Sequence, residues 1–134
     1  MNQPALAAAG LYAALNALIL LWLTMATALV RRRHMVAIGD GGVEHLRRTM
    51  RGHANAAENM PVMLILLGLA AVLGAPALAI HVLGAAFTFG RAVHAWHFTH
   101  ETAAQWQRAT GFGLSVMTIA AAALGVFGHA LTLI

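Results

Sequence analysis

The sequence predicts an all-α integral membrane protein, a four-helix bundle forming one domain over residues 1–134. Three observations lead there. Of its 134 residues, 60% are hydrophobic and only 9% charged, which is too apolar for an ordinary soluble domain. Residues 4–30 and 111–134 contain no charged side chain, and each run exceeds the roughly 20 residues that cross a bilayer. The charges that remain gather beside apolar runs instead of alternating with them along amphipathic faces.

Segment one covers about residues 4–30. It reads as a span and not as a cleavable leader, because no basic residue precedes it and its apolar run exceeds the roughly 7–15 residues of a leader core. Segment two covers about 43–74 and follows the turn-forming run Gly39-Asp40-Gly41-Gly42. Its purely apolar part, residues 60–73, covers only ~21 Å at 1.5 Å per residue against ~30 Å of hydrocarbon, so the helix must carry Asn55 and Glu58 towards the membrane. Gly74-Ala75-Pro76 stops that helix and starts segment three, about 76–100, with proline at a first-turn position. Segment three is apolar to Gly90 apart from His81 and Thr88, then carries Arg91, His94, His97 and His100. Segment four covers about 103–133. Segments two and three hold the polar groups, so they belong inside the bundle, with one and four facing more lipid.

All eight basic residues are arginine. Arg31, Arg32, Arg33, Arg47, Arg48 and Arg51 lie in or beside the first connection and Arg108 beside the third, whereas the tails and the second connection have none. Basic residues stay on the cytosolic side, which puts the first and third connections there and both termini outside. The net charge of +4 is thus explained by topology, and nucleic acid is not an expected partner. With no cysteine, disulfides and thiolate metal sites are excluded, and any thiol must arrive with a co-substrate. The spacing of His94, His97 and His100 is a weak metal signal without an accompanying carboxylate motif, and no metal site is assigned.

The most informative stretch is Arg51-Gly-His53-Ala-Asn55-Ala-Ala-Glu58-Asn-Met-Pro61. Arg51, Asn55 and Glu58 recur at i, i+4, i+7 and share one helix face, while His53 points elsewhere. Charges near a bilayer centre cost roughly 2.5–3.5 kcal/mol on insertion scales, so they are normally paired, hydrated or functional. A cation, an amide and a carboxylate on one face make a site for a small zwitterionic ligand. Arg91, His94 and Phe98 share a face of segment three, and Arg91 is its deepest cation. Glu58 is the partner this reading expects for it, through an ion pair or a shared ligand.

The motif Arg51-x-His53-x-Asn55-x-x-Glu58-x-x-Pro61 resembles the signature of the MAPEG family, the membrane-associated proteins in eicosanoid and glutathione metabolism. Gly39-Asp40-Gly41-Gly42, Gly90-Arg91-x-x-His94 and Arg108-x-x-Gly111 match its bacterial members in order and spacing. The resemblance implies a multi-pass protein of a bacterial inner membrane, assembled as a homotrimer among membrane lipids. It also implies glutathione as co-substrate, bound between subunits near the cytosolic side. Arg51, Asn55 and Glu58 match the family's glutathione-binding positions and Arg91 and His94 the polar positions of its third helix, so all five are candidate glutathione-binding residues. Arg108 matches the arginine that activates the thiol, and Arg31 a second arginine at the end of helix one, so both are candidate catalytic residues.

The function implied is a glutathione-dependent transferase or peroxidase acting on a hydrophobic electrophile or lipid hydroperoxide that arrives from the membrane. Asn59 stands where many relatives have tyrosine, and His94 and Phe98 stand where eicosanoid-forming relatives carry tyrosines, which argues against eicosanoid synthesis. The alternative is a non-catalytic membrane protein that binds an anionic ligand or lipid headgroup in the same arginine cluster.

Overall fold

In the computed structural model, residues 2–134 are described, and they form four helices: α1 (Gln3–His34), α2 (Glu44–Val72), α3 (Ala77–Thr99) and α4 (Gln105–Leu131). All four are long and apolar enough to cross a membrane.

Local chemistry sets the ends. Asn2 caps α1, its side-chain oxygen accepting from the Ala5 amide at 3.3 Å, with Pro4 in the first turn. The helix runs past its expected end near residue 30, through Arg31, Arg32 and Arg33, and stops where Met35 turns left-handed at φ 56°. Basic residues in the last turn favour this extension, because they face the negative end of the helix dipole. In the connection that follows, Asp40 accepts from the Gly42 amide at 2.9 Å. Gly39 and Gly42 both have positive φ, a backbone that glycine adopts without steric cost. α2 continues through Pro61 and ends before Gly74, at φ 98°.

The helices run up and down. At one end Asn2 donates to the Ala75 carbonyl at 3.0 Å and His129 to the Leu73 carbonyl at 2.8 Å. Both chain ends therefore lie with the α2–α3 turn. At the other end are the connections 35–43 and 100–104. There His45 Nε2 donates to the Thr99 carbonyl at 3.0 Å, and its Nδ1 lies 3.2 Å from Glu101.

α2 and α3 pack on each other and on both flanking helices, whereas α1 and α4 do not touch among the described residues. The central position follows from sequence: α2 and α3 carry the polar faces that lipid would penalise. The core includes Leu23, Met63, Leu67, Ile80 and Phe87. Leu18, Ile65, Phe89, Met117 and Leu124 are exposed and apolar, as a lipid-facing surface requires.

Two glycines fix the interhelical spacing near the polar end. A Cβ at Gly111 would lie 2.6 Å from His94 Cβ and 2.7 Å from the Gly90 carbonyl oxygen. A Cβ at Gly52 would similarly meet the Phe98 side chain. Without these glycines, α3 could not sit close enough to α2 and α4 to bring their polar residues together.

Candidate functional site

A cavity of about 790 Å³ opens at the end that holds the two longer connections. It is bounded by Glu44, Arg47, Arg48, Arg51 and Asn55 from α2, His94 and Phe98 from α3, and Gln105, Arg108, Ala109 and Phe112 from α4. Each helix contributes one stripe. Glu44, Arg48, Arg51 and Asn55 follow i, i+4, i+7, i+11, and Gln105, Arg108, Ala109 and Phe112 follow i, i+3, i+4, i+7.

The electrostatics are one-sided. Four arginines and one carboxylate bound the cavity, and that carboxylate, Glu44, is already paired with Arg47. Arg48 donates to the His97 carbonyl at 2.9 Å and lies 5.9 Å from the centre of the Phe98 ring. Arg51 and Arg108 are exposed and make no hydrogen bond or ion pair among the described residues. α2 and α4 both begin at this end, and neither has a side-chain cap. Each helix start carries about +0.5 of an elementary charge.

Behind the cavity wall lies Arg91, 1% exposed. Its Nη2 donates to Asn55 Oδ1 at 3.0 Å and to His94 Nδ1 at 3.1 Å, and its Nη1 donates to Ser115 Oγ at 3.2 Å. Ser115 in turn donates to the Gly111 carbonyl at 2.8 Å. His97 is buried one turn further along α3: Arg48 lies 3.3 Å from its Nε2, and its Nδ1 lies 3.1 Å from the Ala104 carbonyl. A guanidinium can only donate and a carbonyl can only accept, so His97 carries its proton on Nδ1.

Of the residues singled out from sequence, Arg51, Asn55, His94 and Arg108 meet at this cavity, and Arg91 stands behind it as the partner of two of them. The expected Arg91–Glu58 ion pair does not form among the described residues: the two terminal nitrogens of the guanidinium bond instead to uncharged groups from three helices, and Nε has no partner among the described residues. Glu58 is exposed, one helical turn deeper than Asn55, with no ion-pair partner among the described residues.

Arg31 is placed elsewhere. Its Nη1 donates to the Gly39 carbonyl at 2.8 Å and its Nη2 lies 3.3 Å from Met50 sulfur, so it closes the α1–α2 connection. Arg31→Ala should therefore make residues 35–43 more sensitive to limited proteolysis while the cavity keeps its ligand affinity. His53 faces away from the cavity as expected, 3.1 Å from Thr24 on α1.

Glu44, Arg47, Arg48, Gln105, Ala109, Phe112 and Ser115 had not been singled out as site residues. The α2 and α4 stripes were findable by extending the helical period outward from Arg51 and Arg108. Ser115 carries no such signal, since an isolated serine in an apolar helix commonly bonds back to its own helix.

The comparisons agree with this architecture. A model of the MAPEG family matches residues 9–128. The chain is 33% identical over 114 residues to the inner membrane protein YecN of Escherichia coli (strain K12), covering 82% of this chain and 86% of that protein. The same figures hold for the protein of that name from Escherichia coli O6:H1 (strain CFT073). Together with the four spans, this relative supports a multi-pass inner membrane protein. The extent of the family match, the level of identity and the four-helix membrane architecture show that the chain belongs to the MAPEG family.

Proposed function

We propose that the protein binds glutathione in the arginine-lined cavity and transfers its thiol to a hydrophobic electrophile, or uses it to reduce a lipid hydroperoxide. The observation that carries this reading is the imbalance of four arginines against one carboxylate around the cavity. Glutathione fits the donor set: it brings two carboxylates and one ammonium, against several cations and Glu44. The cavity also falls within the roughly 300–1,000 Å³ range of small-molecule sites.

In this reading Arg51 and Arg48 bind the carboxylates and Arg108 stabilises the sulfur as thiolate. A thiol near pKa ~8.5 is mostly protonated at neutral pH, and a fixed cation beside it favours the thiolate. In conjugation the sulfur forms a bond to an electrophilic carbon, and the leaving group departs with its electron pair. With a hydroperoxide, the sulfur attacks the terminal oxygen and the O–O bond breaks. The alkoxide takes a proton to become an alcohol, and a second glutathione converts the sulfenic acid to disulfide and water.

The assembly in this reading is a homotrimer in a bacterial inner membrane, with the cavity cytosolic and the chain ends outside. Exposed Glu58 on α2 supports it, because a second copy would remove this carboxylate from lipid at lower cost than leaving it unpaired. Native mass measurement in mild detergent should give three chains per particle, and a purely monomeric species would refute the assembly.

One observation favours the non-catalytic alternative. No tyrosine bounds the cavity; the one tyrosine, Tyr12, is bonded to His81 at 3.0 Å towards the opposite end. A phenol is thus not available to donate to the sulfur. Thiolate absorbance on adding glutathione decides between the two readings: its appearance supports the enzyme, and glutathione binding without it supports an anion-binding protein.

A further inference from the structure

The polar cluster behind the cavity has a directionality that residue identities alone do not reveal. Asparagine presents both an acceptor and two donors, and a neutral histidine presents one of each, on either ring nitrogen. Arg91 removes that freedom. Its guanidinium has only donors, so the Asn55 atom facing it at 3.0 Å must be the carbonyl oxygen, and the His94 Nδ1 facing it at 3.1 Å must be unprotonated. Two consequences follow. The Asn55 NH₂ group is turned away from Arg91, and the proton of His94 resides on Nε2. Neither group has a hydrogen-bond partner among the described residues. His94 Nε2 is also not sealed from solvent, and both residues line the cavity.

We infer that Arg91 is a positioning residue, anchored by Ser115, that holds Asn55 and His94 with their free hydrogen-bond donors directed into the cavity, so that the inner wall recognises an anion such as thiolate or carboxylate and rejects a cation. The inference rests on the proposed ligand for its meaning but not for its geometry. Arg91 acts through its neighbours: it does not bound the cavity itself. Ser115 fixes the guanidinium from α4, and its own hydroxyl proton is engaged by the Gly111 carbonyl at 2.8 Å. Its oxygen is thus left to accept from Arg91. The wall is assembled from three helices, and every polar atom facing Arg91 is an acceptor. His97, a turn away, has the opposite proton placement, on Nδ1, and provides a contrast within the same protein.

The test is nitrogen-15 NMR of the full chain in detergent, labelled at histidine, with His94→Gln and His97→Gln used to identify the two signals. At neutral pH His94 should show a protonated Nε2 and a bare Nδ1, and His97 the reverse. A His94 protonated on Nδ1, or on both nitrogens, overturns the inference. This readout needs no ligand, so it stands apart from a failure of glutathione to bind.

The second arm uses Arg91→Gln, Arg91→Lys and Ser115→Ala. Arg91→Gln should mix the His94 tautomers and weaken glutathione binding by roughly 10–100-fold, the scale of losing hydrogen bonds to a charged group. Arg91→Lys, which still has only donors, should recover the Nε2-protonated form. A folded Arg91→Gln protein with unchanged tautomer and affinity would contradict the role assigned to Arg91. Should that variant not fold, Ser115→Ala serves: a mixed His94 tautomer supports the anchor, and an unchanged one removes it.

Discussion

Replacing Arg108 with alanine should lower conjugation of a model electrophile by roughly 10²–10³-fold, the loss typical of removing one preorganised group that stabilises developing charge. Thiolate absorbance should vanish with it. Glutathione binding should weaken far less, because Arg48, Arg51 and Asn55 still line the cavity. Arg51→Ala should show the converse: a higher glutathione requirement and a smaller effect at saturation, the pattern of an interaction made equally in ground and transition states. The two arginines differ by position. Arg108 lies in the first turn of α4, where the uncapped helix start adds to its field, whereas Arg51 stands across the cavity on α2. Steady-state kinetics of the two variants in detergent checks both halves. If Arg108→Ala keeps full activity while Arg31→Ala loses it, the activating cation belongs to α1.

The second large effect is structural. Gly111→Ala should destabilise the protein by about 1–3 kcal/mol, the usual cost of overpacking a close contact. The new methyl would meet His94 Cβ at 2.6 Å and the Gly90 carbonyl oxygen at 2.7 Å, and backbone cannot rotate out of the way. Separating α3 from α4 would also pull Ser115 from Arg91 and His94 from the cavity, so binding should fall together with stability. Gly113→Ala, two residues on in the same helix, meets nothing within 4 Å and should leave both unchanged. Thermal unfolding of the two variants in one detergent makes the comparison.

Much of this was legible in the sequence because it depends on single helices. Uncharged runs longer than a bilayer marked the first and fourth spans, shorter apolar runs with polar ends marked the second and third, and glycine and proline marked the first two connections. The period of 3.6 residues put Arg51 and Asn55 on the cavity face. Glu58 shows where that argument ends. It shares the angular face of Arg51 but lies ~10 Å deeper at 1.5 Å per residue, and the cavity does not reach it. Angle is readable from spacing; the depth at which a cavity closes depends on neighbouring helices. Arg91 shows the same limit. A deep cation was rightly expected to need partners, but those partners are Asn55, His94 and Ser115, and no carboxylate is among them. Ser115 faces Arg91 only because α3 and α4 meet at Gly90 and Gly111, a register that no single-helix periodicity contains.

In the proposed function, four arginines around one cavity create a site for the thiolate of glutathione. Titrating glutathione into detergent-purified protein while following thiolate absorbance tests it most directly. Binding should be saturable, with a thiolate signal that grows in step with occupancy, approaches one thiolate per chain and disappears in Arg108→Ala. Saturable binding without any thiolate signal would contradict the catalytic reading, and no binding at glutathione concentrations well into the millimolar range would contradict the site itself.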